Sequence, residues 1–514
     1  MKKILLLLIF SFFLPFFLAS QDDEFDFMHS ASFKFSKGVP FIRAHIKSYP
    51  NGVEIKNRQT LTMKCGEKAV KSNSFKVFVN EFTPQKVMYK LSFAELSHNE
   101  LKNHAEIVAK WKEKSGIEVE IYVHGAIFSI NALKIDNREY YLTAKEMFDK
   151  SSAHEMMAKY RTLFPENNVT LIPVMTSSSK SKLTVKTQNG GSLICRNIVS
   201  LFPDGDFFVG ADSYEKGPEF FLTASSAKKI ELAVEDTVEN LVKKILPGEM
   251  FLSAPLETLK AQAVAARTDI FMQLGKRHVS EPWHICSEVH CQKILWGQKV
   301  HQKFISAVEE TEGRVIMYNG SHIARAPYCS SAGGRTEDIR FVWFTAEKPY
   351  LSGVWDGDEP LKYDLSKEDD LKKFLESDYG EDNININKRH RWKITFKQEE
   401  LDELVNKTLN IGAINGIEAV ARGVSGRIYK IVFRGSKRTQ TVYGELNIRK
   451  MLNNMPSSAF IVSKNDGIWT FQGAGWGHGV GMSQMGAISL GGKNRDYKYI
   501  LNRYYPKTEV IKIY

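Results

Sequence analysis

The chain has 514 residues, with 70 Lys plus Arg against 59 Asp plus Glu, for a formal charge of +11. That length excludes a single small domain and suggests about three folded units at ~100–200 residues each. A composition with 43% hydrophobic and 11% aromatic residues excludes a largely disordered chain. No block of Lys and Arg is dense enough to track a phosphate backbone, so nucleic acid is not an expected partner and the basic balance favours an acidic polymer.

Lys2 and Lys3 precede an apolar run from Ile4 to Leu18 that closes on Ala19 and Ser20, before the acidic stretch Gln21-Asp22-Asp23-Glu24. This pattern predicts a secretory signal peptide over residues 1–20. Its apolar core is shorter than the ~20 residues that span a bilayer. The expected location is therefore the periplasm, cell wall or extracellular space, with membrane attachment only if the segment is retained. Five cysteines, Cys65, Cys195, Cys286, Cys291 and Cys329, are too few and too scattered for a disulfide scaffold. Of these, Cys286 and Cys291 are close in sequence and have histidines beside them.

Residues 21–75 read as a β-rich N-terminal segment broken by turns such as Tyr49-Pro50-Asn51-Gly52, with no chemistry to identify. Residues 76–175 alternate extended runs (87–93, 117–123, 126–135) with helical ones (99–115, 141–150). This is the β-α-β-β-α order of a small split βαβ unit, predicted here as an α+β accessory domain. It resembles the sporulation-related repeat domain, which implies glycan binding. The polar stretch from Thr176 to Lys182 reads as a linker because it has nothing apolar to bury. Residues 183–240 look mostly β, with turns at Asn189-Gly190-Gly191 and Pro203-Asp204-Gly205-Asp206.

After Pro247-Gly248-Glu249-Met250, Ser253 offers a cap and Pro255 suits a first helical turn. Apolar residues then recur at Leu256, Leu259, Ala263, Ala266, Ile270 and Leu274, the helical period. Ala261, Ala263, Ala265 and Ala266 make this helix slim, and Glu257 sits in its first turn, where the helix dipole favours an acid in any case. Further along come Ile285-Cys286-Ser287-Glu288-Val289-His290-Cys291-Gln292, Tyr328-Cys329-Ser330-Ser331-Ala332-Gly333-Gly334-Arg335-Thr336-Glu337, and Gly475-Trp476-Gly477-His478-Gly479-Val480-Gly481-Met482-Ser483-Gln484-Met485-Gly486-Ala487. Together with Pro-Leu-Glu-Thr-Leu-Lys-Ala-Gln-Ala-Val-Ala-Ala-Arg-Thr, these strings resemble the stage II sporulation protein D family, which includes the amidase enhancers, over roughly 225–514.

The resemblance implies one domain over 183–514 with core motifs at 247–506. The expected fold is α+β, a multidomain chain whose C-terminal region holds antiparallel strands, a catalytic helix and a cleft. It implies an exported lytic transglycosylase that remodels peptidoglycan, with Glu257 as general acid/base. One carboxylic acid can protonate the leaving oxygen, then take the proton of the sugar's own 6-hydroxyl as it closes on the anomeric carbon. A hydrolase would need a second carboxylate at ~5–10 Å, for which Glu249, Glu337, Asp338, Asp356 and Asp358 are available. The implied partners are peptidoglycan glycan strands and a cell-wall amidase. The alternative function is a non-catalytic wall-binding protein or amidase enhancer, and a zinc-dependent wall hydrolase ranks third.

Cys286, His290 and Cys291, with an upstream His, suit a closed tetrahedral zinc site of structural rather than chemical use. The resemblance favours His278 as the fourth ligand over His284, and a Cys286–Cys291 disulfide is the competing arrangement. The glycines from Gly473 to Gly481 alternate with larger residues, so an extended chain would have one bare face and one carrying Trp476 and His478. Trp476 is then expected to stack on a sugar and His478 to bind hydroxyls or orient Glu257. Ser330, Ser331, Gly333 and Gly334, with Gln484, are the other expected glycan contacts. Cys329 is expected to be a small buried residue.

Overall fold

The computed structural model describes residues 28, 34–165, 167, 169–217, 219–288 and 290–514, so the expected signal peptide at 1–20 lies outside the described residues. The protein is α+β and multidomain, and its strand pairs are mostly antiparallel. No helix among the described residues is long and apolar enough to cross a membrane.

The N-terminal strands Val39–Pro50, Val53–Cys65 and Lys68–Thr83 alternate inward and outward residues. Ile55, Leu61 and Met63, for example, are fully buried. These strands do not form a separate segment ending near residue 75. They join Lys180–Thr187, Ile198–Pro203, Glu219–Ser226 and Lys229–Thr237 in one 11-stranded sheet, with Lys180 opposite Thr83 and Lys229 opposite Pro50. A Cys65–Cys195 disulfide ties the two halves together.

The chain between these halves, 86–177, is thus an insertion. Its strands run in the spatial order Thr170–Ser177, Lys86–Leu96, Glu139–Phe148, Val119–His124, all antiparallel. Helices His104–Ser115 and Lys150–Leu163 cover one face around Leu91, Phe93, Leu142 and Tyr160. The polar stretch 176–182 is not a free linker. Ser177 ends one strand, Lys180 begins the next, and Ser181 donates its N–H to the Asn197 Oδ1 at 2.9 Å. Small polar side chains are tolerated there because the backbone groups find partners. Buried charges fix the insertion to the C-terminal region: Glu139 pairs with Arg325 and Lys276, and Glu95 with Lys348.

Helix Leu256–Gln273 is the axis of the C-terminal region. Leu259, Ala263, Ala266 and Ile270 face the core of the large sheet, while Ala261, Val264 and Ala265 face a second core with Ala487, Leu490 and Ile500. Its alanines allow close approach. The Thr258 hydroxyl donates to the Ala487 carbonyl at 2.7 Å, and a Cβ on Gly491 would meet that hydroxyl at 2.3 Å. Between the Ser-Ser-Ala-Gly-Gly and Gly-Trp-Gly-His-Gly segments lie two three-stranded sheets, with helices Gln398–Asn406 and Glu445–Met451 packed around Leu401, Ile431, Phe433 and Phe471.

Candidate functional site

A cavity of about 940 Å³ opens on the seam between the insertion and the C-terminal region. Its wall takes Glu249 from the end of helix Val238–Glu249, Asp269 and Gln273 from the last turns of Leu256–Gln273, then His290 and Cys291, Tyr328, Trp343 and His478. Glu257 is not among the lining residues. Its carboxylate accepts the Lys260 ammonium at 2.6 Å and the Tyr497 N–H at 2.9 Å, the first amide of helix Tyr497–Tyr504. The acid of the first turn therefore caps a neighbouring helix, a use that its position near two helix N-termini favours electrostatically.

Glu249, eight residues earlier, does face the cavity, as do Glu139 and the exposed Glu288. The Oε1 of Glu249 accepts the Lys293 N–H at 2.8 Å, and its backbone carbonyl accepts the Gln484 side-chain amide at 3.1 Å. Gln484 also donates to the Gln262 Oε1 at 3.3 Å, so the glycine-rich segment is tied to Glu249 through Gln484. Burial raises the Glu249 carboxyl above the ordinary value, opposed by the Lys293 amide and charge. Among the other acids on the wall, Glu139 is held ionised by Arg325 and Lys276 against a strong burial effect. Asp269 is pushed up to about 6 by burial and accepts from Gln273. The acids Glu337, Asp338, Asp356 and Asp358 all lie elsewhere, bonded to Ser425, Arg340, Tyr504 and Lys493 respectively.

His478 faces the cavity beside Trp343, with ring centroids 4.9 Å apart. Its Nδ1 accepts the Val480 N–H at 3.0 Å. Burial, then Arg427 and Arg449, lower its pKa to about 3, so the ring is neutral at physiological pH. It lies with Glu249 rather than with Glu257. Trp476 does not reach the cavity: it is 46% exposed, with the Arg389 guanidinium 4.9 Å over its ring. Gly475, Gly477, Gly479 and Gly481 all have positive φ, so the segment is a series of turns and not an extended strand with one bare face. Ser331 is fully buried and donates to Asp382, which also accepts the Gly333 N–H at 2.6 Å. A Cβ on Gly333 would lie 2.8 Å from the Gly475 nitrogen, and one on Gly334 would lie 2.8 Å from Phe374. Ser331, Gly333 and Gly334 are thus packing positions between two loops, and the carbonyl of Ser330 accepts the Met485 N–H at 3.0 Å. Cys329 is buried, and burial pushes its thiol up to about 12, which leaves it inert.

Beside the cavity, one ligand atom from each of His278, Cys286, His290 and Cys291 lies within 4.8 Å of the others. His278 Nε2 is 3.3 Å from the Cys291 sulfur, and His290 Nε2 is 3.2 Å from the Cys286 sulfur. Around a tetrahedral zinc with bonds of ~2.3 Å to sulfur and ~2.0–2.1 Å to nitrogen, such pairs sit about 3.5 Å apart, so this donor set fits the metal. Both thiols are free, so the competing disulfide is not formed. His284 is used elsewhere: its Nδ1 accepts the Arg43 N–H at 3.2 Å and its Nε2 is 2.7 Å from the Arg43 guanidinium. His278 adopts φ of 53°, in the left-handed region that few non-glycine residues visit. The sequence offered Glu249 only as one of five carboxylates available to a hydrolase, and it gave Tyr328 no role. The placement of Glu249 at a helix C-terminus next to the metal loop could be seen only in three dimensions.

The family model described as "Stage II sporulation protein" matches residues 226–318, which contain Glu249, Glu257 and all four members of the histidine-cysteine cluster. The chain is similar to the stage II sporulation protein D and amidase-enhancer family. It is 30% identical over 289 residues to the amidase enhancer of Bacillus subtilis, covering 52% of this chain and 40% of that one, so it spans well under half of that relative. It is 27% identical to an uncharacterized protein of Brachyspira hyodysenteriae over 61% of this chain and 78% of that one. To the stage II sporulation protein D of Bacillus subtilis it is 26% identical over 59% of this chain and 84% of that one. A domain of unknown function, DUF8618, matches residues 337–481, which include Trp343 and His478 of the cavity wall.

Proposed function

We propose that this protein remodels peptidoglycan as a lytic transglycosylase, with Glu249 rather than Glu257 as its acid/base. The observation that carries this reading is that Glu249 is a half-buried glutamate on the cavity wall whose pKa is raised and which has one hydrogen bond to its carboxylate, from the Lys293 N–H. A carboxyl that keeps its proton to higher pH can give it to the glycosidic oxygen as the bond to the anomeric carbon breaks. The resulting carboxylate then takes the proton of the 6-hydroxyl while that oxygen bonds to the same carbon, which closes a 1,6-anhydro ring. The proton lent in the first step is returned in the second, so neither water nor a second nucleophile is needed. His478, neutral with Nδ1 occupied, would keep its Nε2 proton, and its hydrogen bond to the Tyr328 backbone would fix the ring on the wall.

His278, Cys286, His290 and Cys291 would hold a zinc ion that supplies structural rigidity, because four protein ligands leave no open position. The next two residues after the last ligand are Gln292, which accepts the Tyr328 hydroxyl, and Lys293, which holds Glu249. The loop thus positions the acid. The Cys65–Cys195 disulfide supports the exported location expected from the first 20 residues, since such bonds persist in oxidising compartments. A second reading, stimulation of a separate wall amidase, is favoured by the similarity to a protein named amidase enhancer. The test that separates the two is digestion of purified peptidoglycan by the protein alone. New 1,6-anhydro ends by mass spectrometry support the transglycosylase, and intact strands support the enhancer.

A further inference from the structure

The insertion at 86–177 is more than an attached module. Its Val119–His124 and Glu139–Phe148 strands pair with Tyr122 opposite Tyr141 and His124 opposite Glu139. Residues two apart on a strand share a face, so Tyr122, His124, Glu139 and Tyr141 lie together on the face opposite the insertion's own helices. That face turns to the seam: His124, Glu139 and Tyr141 line the cavity that holds Glu249, and Tyr122 and His124 line a second cavity of about 310 Å³. His124 and Arg277 border both, so the two cavities adjoin along the seam, past the histidine-cysteine cluster. A pocket for one drug-sized ligand is ~300–1,000 Å³, so the pair suits a chain of several rings.

Arg277 has a particular standing at this junction. Lys276 and Arg325 are tied to Glu139, whereas the exposed Arg277 guanidinium has no hydrogen bond or ion pair among the described residues. We propose that the insertion forms one wall of an extended glycan groove, in which Tyr122 and Tyr141 support sugar rings and Arg277 binds a carboxylate carried by the strand. This rests on the wall-glycan reading above and adds to it where a strand lies and what distinguishes an acidic strand from a neutral one.

Calorimetry on the full chain in a Glu249→Gln background, which removes turnover, tests it with two ligands. One is peptidoglycan glycan strands stripped of peptides, whose muramic acids carry free carboxylates, and the other is neutral chitohexaose. Arg277→Gln is expected to weaken the acidic strands at least ~10-fold while chitohexaose changes less than ~2-fold, the difference between a charge-assisted bond and its absence. Tyr122→Ala should weaken both about 5-fold and Tyr122→Phe neither, since the ring is the contact. Melting temperatures within about 2 °C of the parent exclude misfolding as the cause. The proposal is overturned if Tyr122→Ala binds both ligands like the parent, or if Arg277→Gln loses both equally or neither. If the parent itself binds neither ligand, the wall-glycan reading falls with it.

Discussion

Replacing Glu257 by alanine should cost stability and spare activity. The substitution removes two contacts, the ion pair to Lys260 and the acceptor for the Tyr497 amide. Lys260 keeps its 2.6 Å pair with Glu310, so it is not left alone. The Glu257 side chain is 28% exposed, which puts the ion pair at about 0–1 kcal/mol. Losing an acceptor at a helix start costs about 1 kcal/mol. Together that is about 1–2 kcal/mol, which for a unit of this size lowers Tm by roughly 2–8 °C. Differential scanning fluorimetry reads the shift, and release of soluble fragments from peptidoglycan at 25 °C reads the activity, which should stay within about 3-fold of wild type. Glu257→Gln, which keeps an oxygen for the Tyr497 amide, should lose less than half as much stability. A 100-fold loss of activity in either variant with Tm unchanged would refute the capping role and return the chemistry to Glu257.

The purified protein should carry one equivalent of zinc by plasma mass spectrometry, and His278→Ala or Cys291→Ser should lose it while His284→Ala keeps it. Equal loss from His284→Ala would contradict the ligand set. Removing the metal should also lower activity through Lys293 and Glu249. The pH profile should follow from Glu249: the reaction needs its proton, and burial raises its pKa, so activity falls as pH rises through a value above the ~4.3 of an ordinary glutamate. His478, lowered to about 3, should contribute no limb between pH 5 and 8, and a limb near 6.5 that vanishes in His478→Gln would count against its neutral state. Replacing Cys65 and Cys195 by alanine should cost about 2–5 kcal/mol in chemical denaturation, as expected for a long closed loop. No change in the denaturation midpoint would show that the bond does not form.

The histidine-cysteine cluster was legible in the sequence because its members lie within 14 positions and their types are restrictive, and the structure brings His278 rather than His284 into it. The slim helix was legible for the same local reason. The acid was not. Two glutamates eight residues apart flank one turn, and which of them meets the cavity depends on helix Tyr497–Tyr504, whose amide takes Glu257 out of play. Long-range pairing hid the domain plan. The Lys180–Thr187 strand completes a sheet begun before residue 83, and the polar stretch beside it reads as a linker because its burial comes from distant partners. The glycine-rich segment misled differently: alternate glycines suggest a strand with one bare face, whereas their positive φ values make turns that turn His478 inward and leave Trp476 outside.

The central claim is that Glu249 is the acid/base. Peptidoglycan, intact and stripped of peptides, should be incubated in parallel with wild type, Glu249→Gln and Glu257→Gln, and the 1,6-anhydro ends counted by mass spectrometry. Glutamine at 249 can still accept the Lys293 amide, so the fold is kept while the proton is lost, and a fall of ~10²–10⁴-fold is expected. Wild type and Glu257→Gln should both produce anhydro ends. Anhydro ends from Glu249→Gln at the wild-type rate, or their loss in Glu257→Gln alone, would contradict the account.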